Sequence, residues 1–450
     1  MRWTRWAATL GLVLVALAGC RQASPVAMSE HRRQLHLQSF DQVWETVRKQ
    51  HWDKDLNGVD WEAARNELRP KVQSAATDAQ ARAVMTELIG RLKQSHFAII
   101  PAEAYARLDE LPGSRDSGES TTAPSAQAGV SGVHLRVVGD DVVVTRVEPG
   151  SAGEKAGVRP GWLLQRVGKT PVDRVLRDVR KAYGSSNLLR AYEILTMNSL
   201  LEGDIGKTLD ARFLDGKNRS VRAAITLEKP AGTPAKFMNL PTFYVQTEAR
   251  RIEPDVGYIF VSAFFGTETV PKFRAAVESF RDADGLILDL RGNPGGIGFM
   301  ANGMAGYLVD QPGLQLGQMT MRDAKLDFRI NPQPFVFTGP LAVLVDGASM
   351  STSEILAGGL QDIGRARVFG TPTPGAALPS RIERLPNGDG FQYAFANYVS
   401  ARGQALEGRG VQPDEVVWPE RRALLAGRDP VIDAAVAWIV NQARLKVGRL

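Results

Sequence analysis

Leu341 to Asp362 reads LAVLVDGASMSTSEILAGGLQD, and the rest of the chain is interpreted around it. Leu341 to Val345 is a short apolar run rich in Val and Leu, the pattern of a strand buried on both faces. Asp346 and Gly347 break that run. From Ile355 the apolar spacing turns helical, with Ile355, Leu356, Leu360 and Ile363 close to one face. A buried strand therefore runs through a turn of small residues into a helix, and Ser349, Ser351, Thr352 and Ser353 crowd the junction. A helix N-terminus offers unpaired N–H groups and a partial positive charge. A hydroxyl placed there can be a plain helix cap. It can also be a nucleophile whose oxyanion those N–H groups receive. This segment alone favours the cap; the remaining motifs reverse that.

The chain has 450 residues and a formal charge of +6, without long Lys/Arg runs, which speaks against a nucleic-acid partner. The length suggests about three domains. Arg2 and Arg5 form a positive start, and Ala7 to Gly19 is an apolar run too short to span a bilayer. Residues 1–19 fit a cleaved secretory signal. The run ends Leu17-Ala18-Gly19-Cys20, which resembles the lipobox of bacterial lipoproteins. That resemblance implies a lipidated Cys20, a membrane-anchored envelope protein and, with Arg21 rather than Asp next, the outer membrane facing the periplasm. Cys20 is the only cysteine, so no intramolecular disulfide can form.

Residues 20–38 are polar and read as a tether, and 39–110 as an N-terminal helical domain. Its helices are expected over Phe40–Gln50, Trp61–Ala76 and Asp78–Lys93, followed by Ser95-His96 and a strand-like Phe97–Ile100. Leu111 to Ala128, rich in Ser, Thr, Gly and Pro, reads as a linker. Residues 129–232 change to short strands around EPGSAGEKAGVRPGW and resemble a PDZ domain. The resemblance places a peptide carboxylate on the loop Val130-Ser131-Gly132-Val133, with the peptide added as an extra strand. Val175 to Ser199 looks like a longer helical insert than that family usually has. Residues 233–450 alternate strands with helices, an α/β layered core.

LILDLRGNPGG, LVDGASMSTSE and LEGRGVQPD, taken together, resemble the C-terminal processing and tail-specific serine peptidases. The resemblance implies a crotonase-like βα layered core with an N-terminal helical domain and an inserted PDZ-like β domain. It implies Ser351 as nucleophile and Gly295, Gly296 and Thr352 as the source of oxyanion N–H groups. Many members pair the serine with a lysine, and Ala376 occupies that position here. A nucleophilic serine needs another base. The histidines are His31, His36, His51, His96 and His134. His96 beside Ser95 resembles the tricorn-like branch of the family, whose Ser-His pair, nucleophilic Ser and later Glu form a tetrad. Glu407 matches that Glu, and Ser95 would orient. An unperturbed imidazole titrates near 6.5, so activity is expected to rise through roughly pH 6 to 7.

The reading is of an envelope-located serine endopeptidase that takes proteins or peptides by their C-termini. No metal-ligand motif occurs and no cofactor is implied. A catalytically inactive PDZ-bearing scaffold, or an esterase or amidase for small substrates, stays open as an alternative.

Overall fold

The computed structural model describes residues 28–102, 128–184, 186–235 and 243–447. The expected signal segment, Cys20 and the greater part of the expected Ser/Gly/Pro-rich linker lie outside the described residues.

Helix α1 (Glu30–Gln50) begins inside the stretch expected to be a tether. Ser29 caps it, accepting from Arg32 N–H at 3.2 Å, and Glu30 and Arg48/Lys49 sit at the ends that suit the helix dipole. His36 and Leu37 are already buried, so packing extends the helix beyond its obvious apolar positions. It packs on α2 (Trp61–Gln73) and α3 (Asp78–Gly90). Trp44 and Trp61 each donate an indole N–H to the other's carbonyl, both at 2.9 Å. Strand β1 (Ala98–Ile100) does not close on these helices alone; it is an antiparallel partner of a strand in the C-terminal half.

The inserted β domain contains β2 (Val133–Val138), β3 (Asp141–Val147), β4 (Leu163–Val167), β5 (Thr208–Leu214) and β6 (Ser220–Thr226), adjacent in that order. Between β4 and β5 come two helices, α4 (Val172–Tyr183) and α5 (Leu189–Ser199), where one long insert was expected. Leu135, Val144, Met197, Phe213 and Ile225 fill its core.

The C-terminal half is built on a six-stranded sheet. Its chain order is β7 (Thr247–Ile252), β8 (Val256–Val261), α6 (Thr269–Ser279), β9 (Gly285–Asp289) and α7 (Gly298–Ala305). A hairpin β10 (Gln315–Met321) and β11 (Lys325–Arg329) precedes β12 (Leu341–Val345), α8 (Thr352–Asp362) and β13 (Arg367–Gly370). Then come β14 (Ser380–Arg384), β15 (Gly390–Ala394), β16 (Ala396–Ser400), β17 (Glu415–Val416) and α9 (Pro430–Val447). The sheet order is β7-β8-β9-β12-β13-β17, parallel except at β7.

The buried run Leu341–Val345 explains the layering. Leu341, Val343 and Val345 face Phe273, Met304 and Leu356, while Ala342 and Leu344 face Val431, Ala435 and Ile439 of α9. Strand alternation thus buries one apolar set on each side. Emptying one such site, as in Leu356→Ala, should cost about 2–5 kcal/mol. Strands β9, β12 and β13 are neighbours and parallel, so their carboxyl ends open on one edge, where ligands bind in open α/β sheets.

Candidate active site

Three turns leave that edge. The turn after β9 carries Asn293, Gly295 and Gly296; the turn after β12 carries Ser351; and residues 373–377 follow β13. Hydrogen bonds fasten the first two together. Asn293 carbonyl oxygen accepts from Met350 N–H (3.0 Å) and from Ser353 Oγ (2.9 Å), and Ser349 Oγ donates to Leu290 O (2.8 Å). Ser353 and Ser349 are therefore struts, not reactive groups.

Ser351 sits at φ 53°, ψ −114°, directly before α8. A non-glycine residue at such positive φ carries strain on the order of 1–3 kcal/mol. Two contacts hold it: Ser351 N–H points at Ala376 O (2.9 Å) and at Glu354 Oε2 (2.9 Å). Gly295 explains its own identity, for at φ 98° a Cβ there would lie 2.7 Å from Ser351 Cβ.

The expected oxyanion donors separate on inspection. Gly295 N–H donates to Asn293 Oδ1 at 2.8 Å and is already committed. Among the described residues, Gly296 N–H and Thr352 N–H, the latter at the first turn of α8, have no hydrogen-bond acceptor. Thr352 Oγ1 donates to Gly296 O at 2.9 Å, which holds the two residues side by side.

Ser95, His96 and Glu407 come together from opposite parts of the chain. Glu407 Oε1 accepts from Ser95 N–H (2.6 Å), Oε2 accepts from Ser95 Oγ (2.8 Å), and the Ser95 Oγ to His96 Nδ1 distance is 2.7 Å. With Glu407 ionised, the one hydroxyl proton of Ser95 goes to the carboxylate. Ser95 Oγ then accepts from His96 Nδ1–H, which leaves Nε2 as the nitrogen with the free lone pair. Glu407 Oε2 also accepts from Ala377 N–H at 3.2 Å. Ala376 and Ala377 thus carry the two groups side by side: Ser351 hangs on Ala376, the Glu407–Ser95–His96 chain on Ala377. No hydrogen bond joins His96 to Ser351; catalytic contacts are often long until substrate is present.

Burial lowers the His96 pKa to about 4, so the imidazole is neutral well below the pH range expected for an unperturbed histidine. Burial also raises the pKa of Glu407, against the pull of its three donors. The other described histidines with hydrogen bonds serve structure: His36 with Asp78 and Asn387, His51 with Gln94, and His134 with Glu148.

The inserted domain reaches the same place. Arg136 on β2 pairs with Asp346 at 2.6 Å, and Asp346 Oδ1 accepts from Gly292 and Ala348 N–H, both at 2.9 Å. Leu188, Ala191 and Leu195 of the α5 region pack on Met350 and Ala376, and Asn187 Nδ2 donates to Pro374 O at 2.7 Å. The far end of α5 touches β2: Asn198 Oδ1 accepts from Leu135 N–H (2.9 Å) and its Nδ2 donates to Leu135 O (3.1 Å). Within the loop expected to hold a carboxylate, Val130 N–H is spent on Glu228 O (2.8 Å) and Val133 N–H faces Ser131 Oγ (3.2 Å). Glu354 closes the LVDGASMSTSE motif without a role in the reading of the sequence, and Asn198 lies in no motif; their partners are visible only in the fold.

Comparison with known proteins adds an independent line. Residues 255–417 match the model of peptidase family S41, and residues 33–90 match the tricorn protease C1 domain. The C-terminal processing peptidase, chloroplastic, of Tetradesmus obliquus is 27% identical over 394 residues, covering 85% of this chain and 77% of its own. Among solved structures, the photosystem II D1 C-terminal processing protease has a TM-score of 0.53 at 22% identity, covering 87% of this chain and 94% of that one. Mature CPAF has a TM-score of 0.59 at 14% identity, covering 92% and 98%; these likenesses speak to the fold.

Proposed function

We propose that the chain, whose residues 255–417 match peptidase family S41, is a serine peptidase of the C-terminal processing kind with a mechanism run by Ser351, His96, Ser95 and Glu407. His96 Nε2 takes the Ser351 Oγ proton as Oγ bonds to the scissile carbonyl carbon. The imidazolium then protonates the leaving amine, and water repeats the sequence on the acyl-enzyme. Glu407, through Ser95, fixes the tautomer and offsets the positive charge. Gly296 and Thr352 N–H groups receive the oxyanion, and Gly295 shapes the turn beside them. The observation that carries this reading is the continuous path Glu407–Ser95–His96, registered on Ala377 one residue from the Ser351 contact at Ala376.

In the proposed reading the inserted domain is PDZ-like and recruits substrate C-termini on the Val130–Val133 loop. Asn198 must then release Leu135, whose N–H and C=O an added strand would use. Cys20 anchors the mature protein to the outer membrane, facing the periplasm. Among the described residues no helix is long and apolar enough to cross a membrane. Release of Cys20→Ser from the membrane fraction is the expected result, and its retention there would remove the anchor.

The test of function is hydrolysis of an unfolded protein, of peptides with free or amidated C-termini, and of a small ester, by wild type and Ser351→Ala. Cleavage of protein and free-acid peptide, lost in the variant, is expected. Turnover of the ester alone would make the protein an esterase, and no turnover with no labelling by a fluorophosphonate would make it a scaffold.

A further inference from the structure

Glu354 is wholly buried one turn past Ser351; it closes the LVDGASMSTSE motif and is the N3 partner of Ser351 in a capping box, and no comparison gives it a role in the reaction. Its Oε2 accepts from Ser351 N–H and Ala376 N–H, both at 2.9 Å; its Oε1 accepts from Thr373 Oγ1 (2.6 Å) and Gly375 N–H (2.7 Å). An ionised carboxylate accepts at both oxygens and donates at neither, which is what four converging donors require. A protonated acid or an amide would turn a donor toward other donors. The N-terminus of α8 also favours a negative charge at this place.

Among the described residues, no cation pairs with the Glu354 carboxylate. In the first turn of α8 the neighbours are Ser351, Thr352 and Ser353; the 373–377 segment is uncharged. The 406–411 loop contributes Glu407, which bonds Ser95 and Ala377, and Arg409, which bonds Gln404. From α5, Arg190 pairs with Glu193 and lies over Trp418. The carboxylate is therefore sustained by dipoles alone, and its charge is the easiest thing at the site to remove.

We propose that Glu354, as a carboxylate, is a positioning residue that holds Ser351 in its strained backbone and registers it on the Ala376–Ala377 segment carrying the base, and that protonating it in acid releases this register. The proposal rests on the peptidase reading of the same site. Its pH direction agrees with burial, which pushes the Glu354 pKa up to about 7, whereas His96 is already neutral above about 4. Activity lost as pH falls through about 7 is therefore not the base's, and the part of that limb which Glu354→Gln removes belongs to Glu354.

The experiment uses the full chain as wild type, Glu354→Gln, Glu354→Asp and Thr373→Val, each checked for folding by its melting transition. Fluorophosphonate labelling of Ser351 and peptide kcat/KM are followed from pH 5 to 9. Wild type should lose rate as pH falls through about 7. Glu354→Gln should be about 100-fold slower at pH 8, the scale of a misplaced reacting group, and flat across the range. Glu354→Asp should recover part of the rate and keep the acid limb, and Thr373→Val, which deletes one donor, should lose least. A folded Glu354→Gln with the wild-type rate and limb overturns the proposal. Infrared difference spectra of wild type against Glu354→Gln read the same carboxyl without catalysis. A wild type that neither labels nor cleaves defeats the peptidase reading, and the infrared band still decides on Glu354. A band titrating near pH 7 supports the switch, and none between pH 5 and 9 overturns it.

Discussion

Glu354 and Glu407 stand on either side of the Ala376–Ala377 pair, and their environments invite comparison. Both are carboxylates whose pKa burial raises, and both accept backbone N–H groups from adjacent residues. Their remaining partners differ. Glu354 takes the N–H of Ser351 and the hydroxyl of Thr373, all within its own stretch of chain. Glu407 takes both the N–H and the hydroxyl of Ser95, 312 residues away, and through it holds His96. One carboxylate is bonded to the backbone of Ser351 and the other, through Ser95, to an imidazole. The direction of a pKa shift does not tell these jobs apart, whereas the identity of the donors does.

Breaking the comparison at its ends gives the largest effects. Ser351→Ala and His96→Ala should each lower kcat/KM by roughly 10⁴-fold or more in a peptide assay, since members of such a unit fail together. Glu407→Gln should be milder, roughly 10³-fold, because an amide can hold Ser95 in place yet no longer accepts at both oxygens. Peptide kinetics separate the two classes: a Glu407→Gln variant as inactive as His96→Ala would make Glu407 more than an orienting group. Placing a lysine between the two carboxylates sharpens the point. Ala376 is 4% exposed under Leu188, Ala191 and Met350, so Ala376→Lys overpacks the spot. It should lose about 1–3 kcal/mol in denaturant unfolding and should not restore His96→Ala. Recovery of activity in that double variant would show that the lysine arrangement is still available to this fold. The smallest effect belongs to the inserted domain. Asn198→Ala frees both backbone groups of Leu135 and should tighten free-acid peptide binding about five-fold in calorimetry, the worth of one hydrogen bond. Unchanged affinity would place the peptide somewhere other than the β2 edge.

The pH behaviour also follows from the contrast. As the proposed base His96 acts when neutral, and with its pKa at about 4 it meets that condition through the neutral range. Both carboxylates are proposed to act when ionised, and burial raises the pKa of each; Glu354, at about 7, loses its ionised form on acidification before His96 gains a proton. The rise in activity with pH is therefore expected to track the carboxylates. The value of about 6.5 for a free imidazole, which the sequence suggests, is displaced by burial.

Legibility followed chain separation. The strand–turn–helix at Leu341–Asp362 was readable because its signals are local: a buried apolar run, a break at Asp346-Gly347 and a helical period. The layered α/β core followed from strands alternating with helices. Residues 30–38 looked like a tether because the first turns are polar, and their helix depends on His36 and Leu37 meeting a distant surface. Gly295 passed as an oxyanion donor because a glycine pair promises free N–H groups; only the structure reveals that Asn293 takes one of them. The parts played by Glu354 and Asn198 were invisible for a related reason. A glutamate on a first turn reads as an ordinary dipole partner, and nothing in its neighbours announces that Thr373, Gly375 and Ala376 will fold back onto it.

The central claim is that His96 is the base for Ser351, although no hydrogen bond yet joins them. The most direct measurement is the rate of fluorophosphonate labelling at Ser351 in full-length His96→Ala, at pH 8, where Glu354 is ionised in both proteins. The account predicts a folded variant whose labelling is slower than wild type by roughly 10³-fold or more. Labelling of Ser351 at the wild-type rate would contradict it and leave the nucleophile with a base other than His96.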